Sequence, residues 1–263
     1  MKVSHESPLV LLEESRQYND YDYALVHLFD EIPEYYQFFK DSLKIGRDVI
    51  LDNSIFELGE AYNPDKFAEY IKELQPTYYI IPDKLNCSEG TIANLHYFIE
   101  NYGSLNGKKI GVVQGRTYED ICRCYKEVDK YCDKIAISFD YDYYLDIIPE
   151  EYGNKFQRWC LGRQMLLKRM VEDNIINTNK PHHLLGIALP QELIQYSEYN
   201  WIETVDTSNP IVHGLYNIEY QEGTLQDKIS TKLVDLIYSK VDENQKKVIY
   251  SNLKQFKENI KRV

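Results

Sequence analysis

The chain is expected to fold as a trimmed (β/α)8 barrel of the α/β class, because short apolar runs recur along it and amphipathic helical patterns separate them. The runs VILD, YYIIP, IGVVQ and IAIS are apolar almost throughout, as parallel strands are when both faces are buried. Candidate strands cover residues 23–29, 48–52, 77–82, 109–114, 134–139, 182–188 and 201–205, with an eighth placed within 211–220. Between them, Phe67, Tyr70, Ile71 and Leu74 follow the i, i+3, i+4, i+7 spacing of a helix with one buried face, as do Leu95, Phe98, Ile99 and Tyr102. Helix starts are marked by Asn63 before Pro64, by Ser88 before Glu89, and by Thr117 with Asp120 as a capping box. An open doubly wound sheet is the alternative, but the first strand–helix turn lacks G-x-G-x-x-G and the chain contains no G-x-x-x-x-G-K-[ST]. No Pro/Gly/Ser-rich linker or short repeat divides the chain. Residues 1–263 therefore read as one domain, with a helical tail over 224–263.

Composition narrows the function classes. Thirty Lys and Arg stand against 42 Asp and Glu, a formal charge of -12, which excludes binding of nucleic acid by bulk positive charge but not by a local basic face. With 43% hydrophobic and 27% charged residues the chain is globular rather than disordered. No stretch approaches the roughly 18 uninterrupted apolar residues of a membrane span, and the N-terminus does not read as a signal peptide. Five cysteines, an odd number, then suggest thiols in a soluble protein of the cytoplasm. Cys122, Cys124 and Cys132 lie on a helical pattern and read as ordinary thiols rather than metal ligands. The 24 tyrosines, with abundant Ile, Asn and Lys, reflect A+T-rich coding more simply than any chemistry.

In a barrel, chemistry sits where strands end at the C-terminal rim. The residues closing the apolar runs are Asp52, Asn53 and Ser54; Asp83; Gln114 and Gly115; Ser138; Gly186; and Asp206 and Thr207. Singly, such residues cap helices or make turns. Together they bring three carboxylates and an amide to one rim. Carboxylates at the mouth of a partly desolvated pocket can be held in different protonation states, one as an acid and one as a nucleophile. Cleavage of a glycosidic or N-glycosidic bond needs that division of roles.

The segments IGVVQGRTYEDICR, HLLGIALPQELIQY and WIETVDTSNP resemble the V-Q-G, L-x-G-x-x-x-P-x-(D/E)-L and D-x-x-x-P motifs of the guanine transglycosylases, which exchange guanine for a 7-deazaguanine in nucleic acid. VILDNSIFELG falls where that family has its Asp-Ser-Gly-Gly segment, and YYIIPDK where it has the carboxylate that reads the base. The resemblance runs in order from Asp48 to Tyr220. It implies that Asp206 is the nucleophile at C1′, forming a covalent glycosyl-enzyme, and that Asp52 is the general acid and base. Asp83 would accept from the guanine N1 and amino hydrogens. Gln114 and Gly115 would meet the carbonyl edge, Leu185 and Gly186 would floor the pocket, and Phe56 would stack on the base. Ser138 and Phe139 stand where the family has a Gly-Gly turn, and Asn53 replaces the usual Ser after the acid.

The family's tRNA-acting members carry a zinc subdomain after the last strand, but here no cysteine follows Cys160. The resemblance is accordingly to the trimmed, phage-type enzymes acting on DNA, with no metal and no cofactor expected, and with the host cytoplasm as location if the gene is a phage's. A tRNA substrate and a non-catalytic partner subunit are the alternatives; a homodimer is left open.

Such an enzyme takes its base out of the stack while basic residues hold the phosphates. Residues 154–170 contain Lys155, Arg158, Arg163, Lys168 and Arg169 and no acid, making Arg158, Arg163, Lys168 and Arg169 the candidate strand-binding group. The tail adds Lys246, Lys247, Lys254, Lys257, Lys261 and Arg262. Solvated helical faces are the plain alternative for both. His182 and His183 are expected to pack or hydrogen-bond within the fold rather than to catalyse. His213 and Arg116 are weaker candidates for ribose or phosphate contacts.

Overall fold

The computed structural model describes residues 1–261. Its strands are β1 (Lys2–His5), β2 (Asp22–Leu25), β3 (Val49–Asp52), β4 (Tyr78–Ile80), β5 (Lys108–Val113), β6 (Lys134–Ile137), β7 (His182–Leu184) and β8 (Ile202–Thr207). They form one sheet in the order β1-β8-β7-β6-β5-β4-β3-β2, and every ladder is parallel. Because β8 lies beside β1, the sheet curls into a nearly closed barrel with a seam between β1 and β2. The fold is thus the expected (β/α)8 type.

The seam is closed by the chain entering β2. Asn19 accepts from the His5 N–H at 2.7 Å and returns a hydrogen bond to the His5 carbonyl at 3.0 Å. Asp20 treats Val3 alike, its N–H donating to the carbonyl and its carboxylate accepting from the N–H, both at 2.9 Å. Buried strand edges left unpaired cost about 1–3 kcal/mol per polar group, so two short side chains do what a ladder does elsewhere.

The eighth strand differs from the sequence expectation. It is β1 at the N-terminus; residues 209–215, which overlap the region expected to supply it, form a helix. Pro210 in the first turn presets φ, and Ile211, Val212 and Leu215 bury one helical face. β1 carries a single buried apolar residue, Val3, beside buried Ser4 and His5, so no apolar run marks it.

The main helices are α1 (Pro33–Lys44), α2 (Pro64–Leu74), α3 (Ser88–Tyr102), α4 (Tyr118–Tyr131), α5 (Lys155–Glu172), α6 (Asn209–Leu215) and α7 (Glu243–Lys261). Asn63 and Thr117 cap α2 and α4 as their sequences imply, accepting from the N–H groups of Lys66 and Asp120. At α3 the cap is Cys87, whose Sγ accepts from Gly90 N–H; Ser88 is already helical. The expected helical tail is corrected in part: only α7 is a long helix, and residues 224–242 are largely irregular and run across the C-terminal mouth of the barrel. Arg262 lies outside the described residues.

The basic segment on α5 is not the uniform strand-binding face expected of it. Arg163 is fully buried, paired with Glu192 at 2.7 and 2.9 Å, and donates to the carbonyls of Leu185 and Gly186 at 2.9 and 2.8 Å. Its place one turn from buried Trp159 and Leu166 turns it inward, out of reach of any nucleic acid. Arg158 is half-buried and caps the short helix Asp142–Ile147, donating to the carbonyls of Leu145 and Ile148. Arg169 lies over the Tyr118 ring at 3.5 Å, and Lys168 is exposed beside Glu172. Removing one partner of a buried, hydrogen-bonded pair leaves an uncompensated charge. Arg163→Met should therefore lower stability by about 3–5 kcal/mol in urea unfolding, and adding Glu192→Met should restore most of the loss.

Candidate active site

All eight strands contribute to a cavity of about 760 Å3 at the C-terminal rim. Glu6 follows β1, Tyr23 lies on β2, Asp52 ends β3, and Asp83, Gln114, Ser138 and Gly186 follow β4 to β7, while Asp206 lies on β8. Of the residues expected there, Asn53, Phe56, Phe139 and Leu185 also line the cavity. Gly115 is absent from the wall. It is buried against the start of α4, where a Cβ would come within 2.7 Å of Ile121 N, so it serves close packing rather than contact with a ligand.

Asp52 is held by two short hydrogen bonds of 2.5 Å, from the Tyr23 hydroxyl and the Ser54 N–H. Ser54 reaches back because its φ is 59°, a left-handed turn that few non-glycine residues adopt. Burial, reinforced by the nearby Glu57 carboxylate, pushes the Asp52 carboxyl up to about 8, against the lowering effect of those two donors. It therefore carries a proton at neutral pH.

Asp206 has a different environment. Its Oδ1 accepts from His183 Nε2 at 3.0 Å and from Gly186 N–H at 3.1 Å, while Oδ2 has no hydrogen-bond partner among the described residues. Gly186 makes its turn at φ 60°, and a Cβ there would meet the Phe139 ring at 2.6 Å. The Arg163 bonds to the Leu185 and Gly186 carbonyls hold this turn from behind.

Asp83 sits in a third setting, accepting from Asn53 Nδ2 at 2.9 Å and Gln114 Nε2 at 2.8 Å. Burial holds its carboxyl above the ordinary value, against the lowering effect of those two amides. Gln114 also accepts from Asn86 N–H at 3.0 Å, so its carbonyl is already engaged by the protein. Where a Gly-Gly turn was the precedent, two tyrosines brace the Ser138 backbone: Tyr141 accepts from its N–H and Tyr144 donates to its carbonyl. The Ser138 hydroxyl donates to Asp140 at 2.7 Å, adding a carboxylate to that wall.

Phe56 and Phe139 meet edge-on at 5.4 Å, and the segment 228–235 roofs them. Lys228 and Lys232 place their ammonium groups 4.9 Å from the Phe139 and Phe56 rings, respectively, within cation–π range. Lys232 also donates to the Phe56 and Glu57 carbonyls.

Several participants escaped sequence reasoning. Glu6 and Glu57 line the cavity; burial raises both, Glu57 to about 7. Glu6 was invisible because β1 was. His183 is buried, as expected, yet touches Asp206; the usable signal was strand alternation, since Thr204 and Asp206 share a face and His183 pairs opposite Thr204. His182 packs between Tyr125 and Trp201, and His213 bonds to the Asn209 carbonyl. The cavity wall carries eight carboxylates against three lysines, Lys155, Lys228 and Lys232, so no general basic rim surrounds it.

The sequence matches no family model and no curated protein. Among the described residues, no helix is long and apolar enough to cross a membrane.

The raised Asp52 carboxyl has a sign that can be measured. The folded state keeps its proton between the ordinary value of 3.8 and about 8, whereas the unfolded chain releases it. Asp52 therefore stabilises the fold fully below that window and progressively less as pH rises through it, with a slope of about 1.4 kcal/mol per pH unit. Asp52→Asn, which cannot ionise, should lack this slope. Its Tm should gain on the wild type from pH 5 to pH 8 and hold a constant advantage above; parallel Tm curves would show that Asp52 ionises normally.

Proposed function

We propose that the protein is a guanine transglycosylase, exchanging guanine for a 7-deazaguanine base through a covalent intermediate on Asp206. The observation that carries this reading is the pair of carboxylates at the ends of β3 and β8. One is protonated by burial; the other has one oxygen pinned by two N–H donors and the second without a partner among the described residues. In the first half-reaction Asp206 Oδ2 attacks C1′, the C1′–N bond breaks with its electron pair going to the base, and Asp52 gives that base its proton. In the second half the incoming base loses a proton to Asp52 and attacks C1′, and Asp206 departs as carboxylate. Asp83, between its two amide supports, offers acceptor lone pairs to adjacent N–H groups such as those of guanine N1 and N2. Phe56 and Leu185 supply apolar surface for the ring.

DNA is the proposed strand, on the resemblance to trimmed enzymes without a zinc module; tRNA is the second reading. Both catalytic positions are filled, which argues against a non-catalytic partner subunit. With Arg163 internal and eight carboxylates in the wall, phosphate contacts fall to Lys155, Lys228 and Lys232 at the mouth.

The test is incorporation of labelled guanine, or of a 7-deazaguanine base, into DNA and into tRNA. The wild type should label DNA, and a denatured Asp206 adduct should be trapped on it. Asp206→Asn should abolish both, and Asp52→Asn should slow turnover about 10²–10⁴-fold. Labelling of tRNA alone would replace the strand assignment, and full activity of Asp206→Asn would overturn the mechanism.

A further inference from the structure

Beneath the cavity a chain of buried polar groups leads to Asp206 from the opposite end of the barrel. Lys134 opens β6, is almost fully buried, lies over the Tyr78 ring at 4.2 Å and pairs with Glu203 at 2.9 Å. Its ammonium also reaches Thr204 Oγ1 at 3.2 Å; Thr204 Oγ1 lies 2.9 Å from His183 Nδ1, and His183 Nε2 lies 3.0 Å from Asp206 Oδ1. Lys134 does not line the cavity.

The polarity of this chain follows from its ends. An ammonium can only donate and a carboxylate can only accept. Thr204 therefore accepts from Lys134 and has one hydrogen left, which goes to His183 Nδ1. Nδ1 accepts, so the ring hydrogen is on Nε2 and points at Asp206. A doubly protonated imidazole would force the Thr204 oxygen to accept twice and leave its own hydrogen buried without a partner.

We propose that Lys134 and Thr204 are positioning residues for Asp206, acting through His183: they supply one fixed N–H to Oδ1, turn Oδ2 to the cavity, and keep the imidazole uncharged. A neutral donor orients the nucleophile without neutralising it, whereas an imidazolium would form an ion pair with it. The groups facing the ring agree with this. Asp206 on β8 favours its proton, while Lys134 on β6, Arg163 on α5 and burial oppose it, and burial dominates. Tyr23 on β2, the residue that holds Asp52, stacks on the same ring at 5.9 Å with 13° between planes, so the supports of both carboxylates touch.

This role rests on the transglycosylase reading, but its test need not. Two-bond 1H–15N spectra of the ring, assigned by comparison with His183→Phe, should show the neutral Nε2–H tautomer in the wild type from pH 5.5 to 8. Lys134→Met removes a positive charge and frees Thr204 to accept, so the ring should take its second proton about one pH unit higher. Lys134→Arg should restore the wild-type titration. In the exchange assay the acid limb of adduct formation should move up with the ring in Lys134→Met, while binding of the guanine base stays within about twofold, a split that a merely structural role would not produce. A wild-type ring carrying its hydrogen on Nδ1, or charged at pH 6, would overturn the proposal, as would an unchanged ring titration in Lys134→Met. A wild type that exchanges no base would overturn the transglycosylase reading instead, and the ring spectra would still decide the relay. If Lys134→Met does not fold, the wild-type tautomer alone decides it.

Discussion

The buried pair of Arg163 and Glu192 organises the site. One guanidinium spends its donors on a bidentate carboxylate and on the carbonyls of Leu185 and Gly186, joining α5, the turn after β7 and the segment around Pro190. That turn is where Gly186 presents its N–H to Asp206 and leaves room for Phe139. The charge is expensive to bury and is tolerated because every strong donor direction meets an acceptor. The pair thereby fixes the turn that holds one oxygen of Asp206, without itself touching the cavity.

Asp52, Asp83 and Asp206 show how one rim gives three carboxylates different surroundings. Asp52 has little solvent and a carboxylate neighbour, so its proton is retained. Asp83 has the same burial, which raises it too, with two amides aimed at it. Asp206 has an imidazole and a backbone N–H on one oxygen and an open side on the other. Burial raises both Asp52 and Asp83, each against two donors, and the Glu57 carboxylate adds to the rise at Asp52. The lysines of the roof belong to the same balance, since their ammonium groups rest on aromatic faces above an acidic wall rather than forming a basic surface around it.

Much of this was legible in the chain. The βα alternation, the caps Asn63 and Thr117, and the polar residue closing each apolar run were local signals, and local signals survive without knowledge of pairing. β1 was not legible, because Lys2–His5 contains one buried apolar residue and owes its conformation to β8 and to the Asn19 side chain. Arg163 misled for a related reason. On α5 it differs in sequence from Lys168 or Arg169 in nothing but the side of the helix it occupies, and only its partner Glu192, far along the chain, shows that the side faces inward.

What the sequence determined by itself, then, was the barrel, its acid-rich C-terminal rim and the carboxylates Asp52, Asp83 and Asp206, because strand ends follow from hydrophobic patterning. What only the tertiary structure decided was the surroundings of those groups: the burial that raises Asp52, the His183 ring against Asp206, the inward arginine and the lysine roof. Proton affinity and hydrogen-bond polarity depend on desolvation and on neighbours brought from distant strands, and no local pattern encodes either.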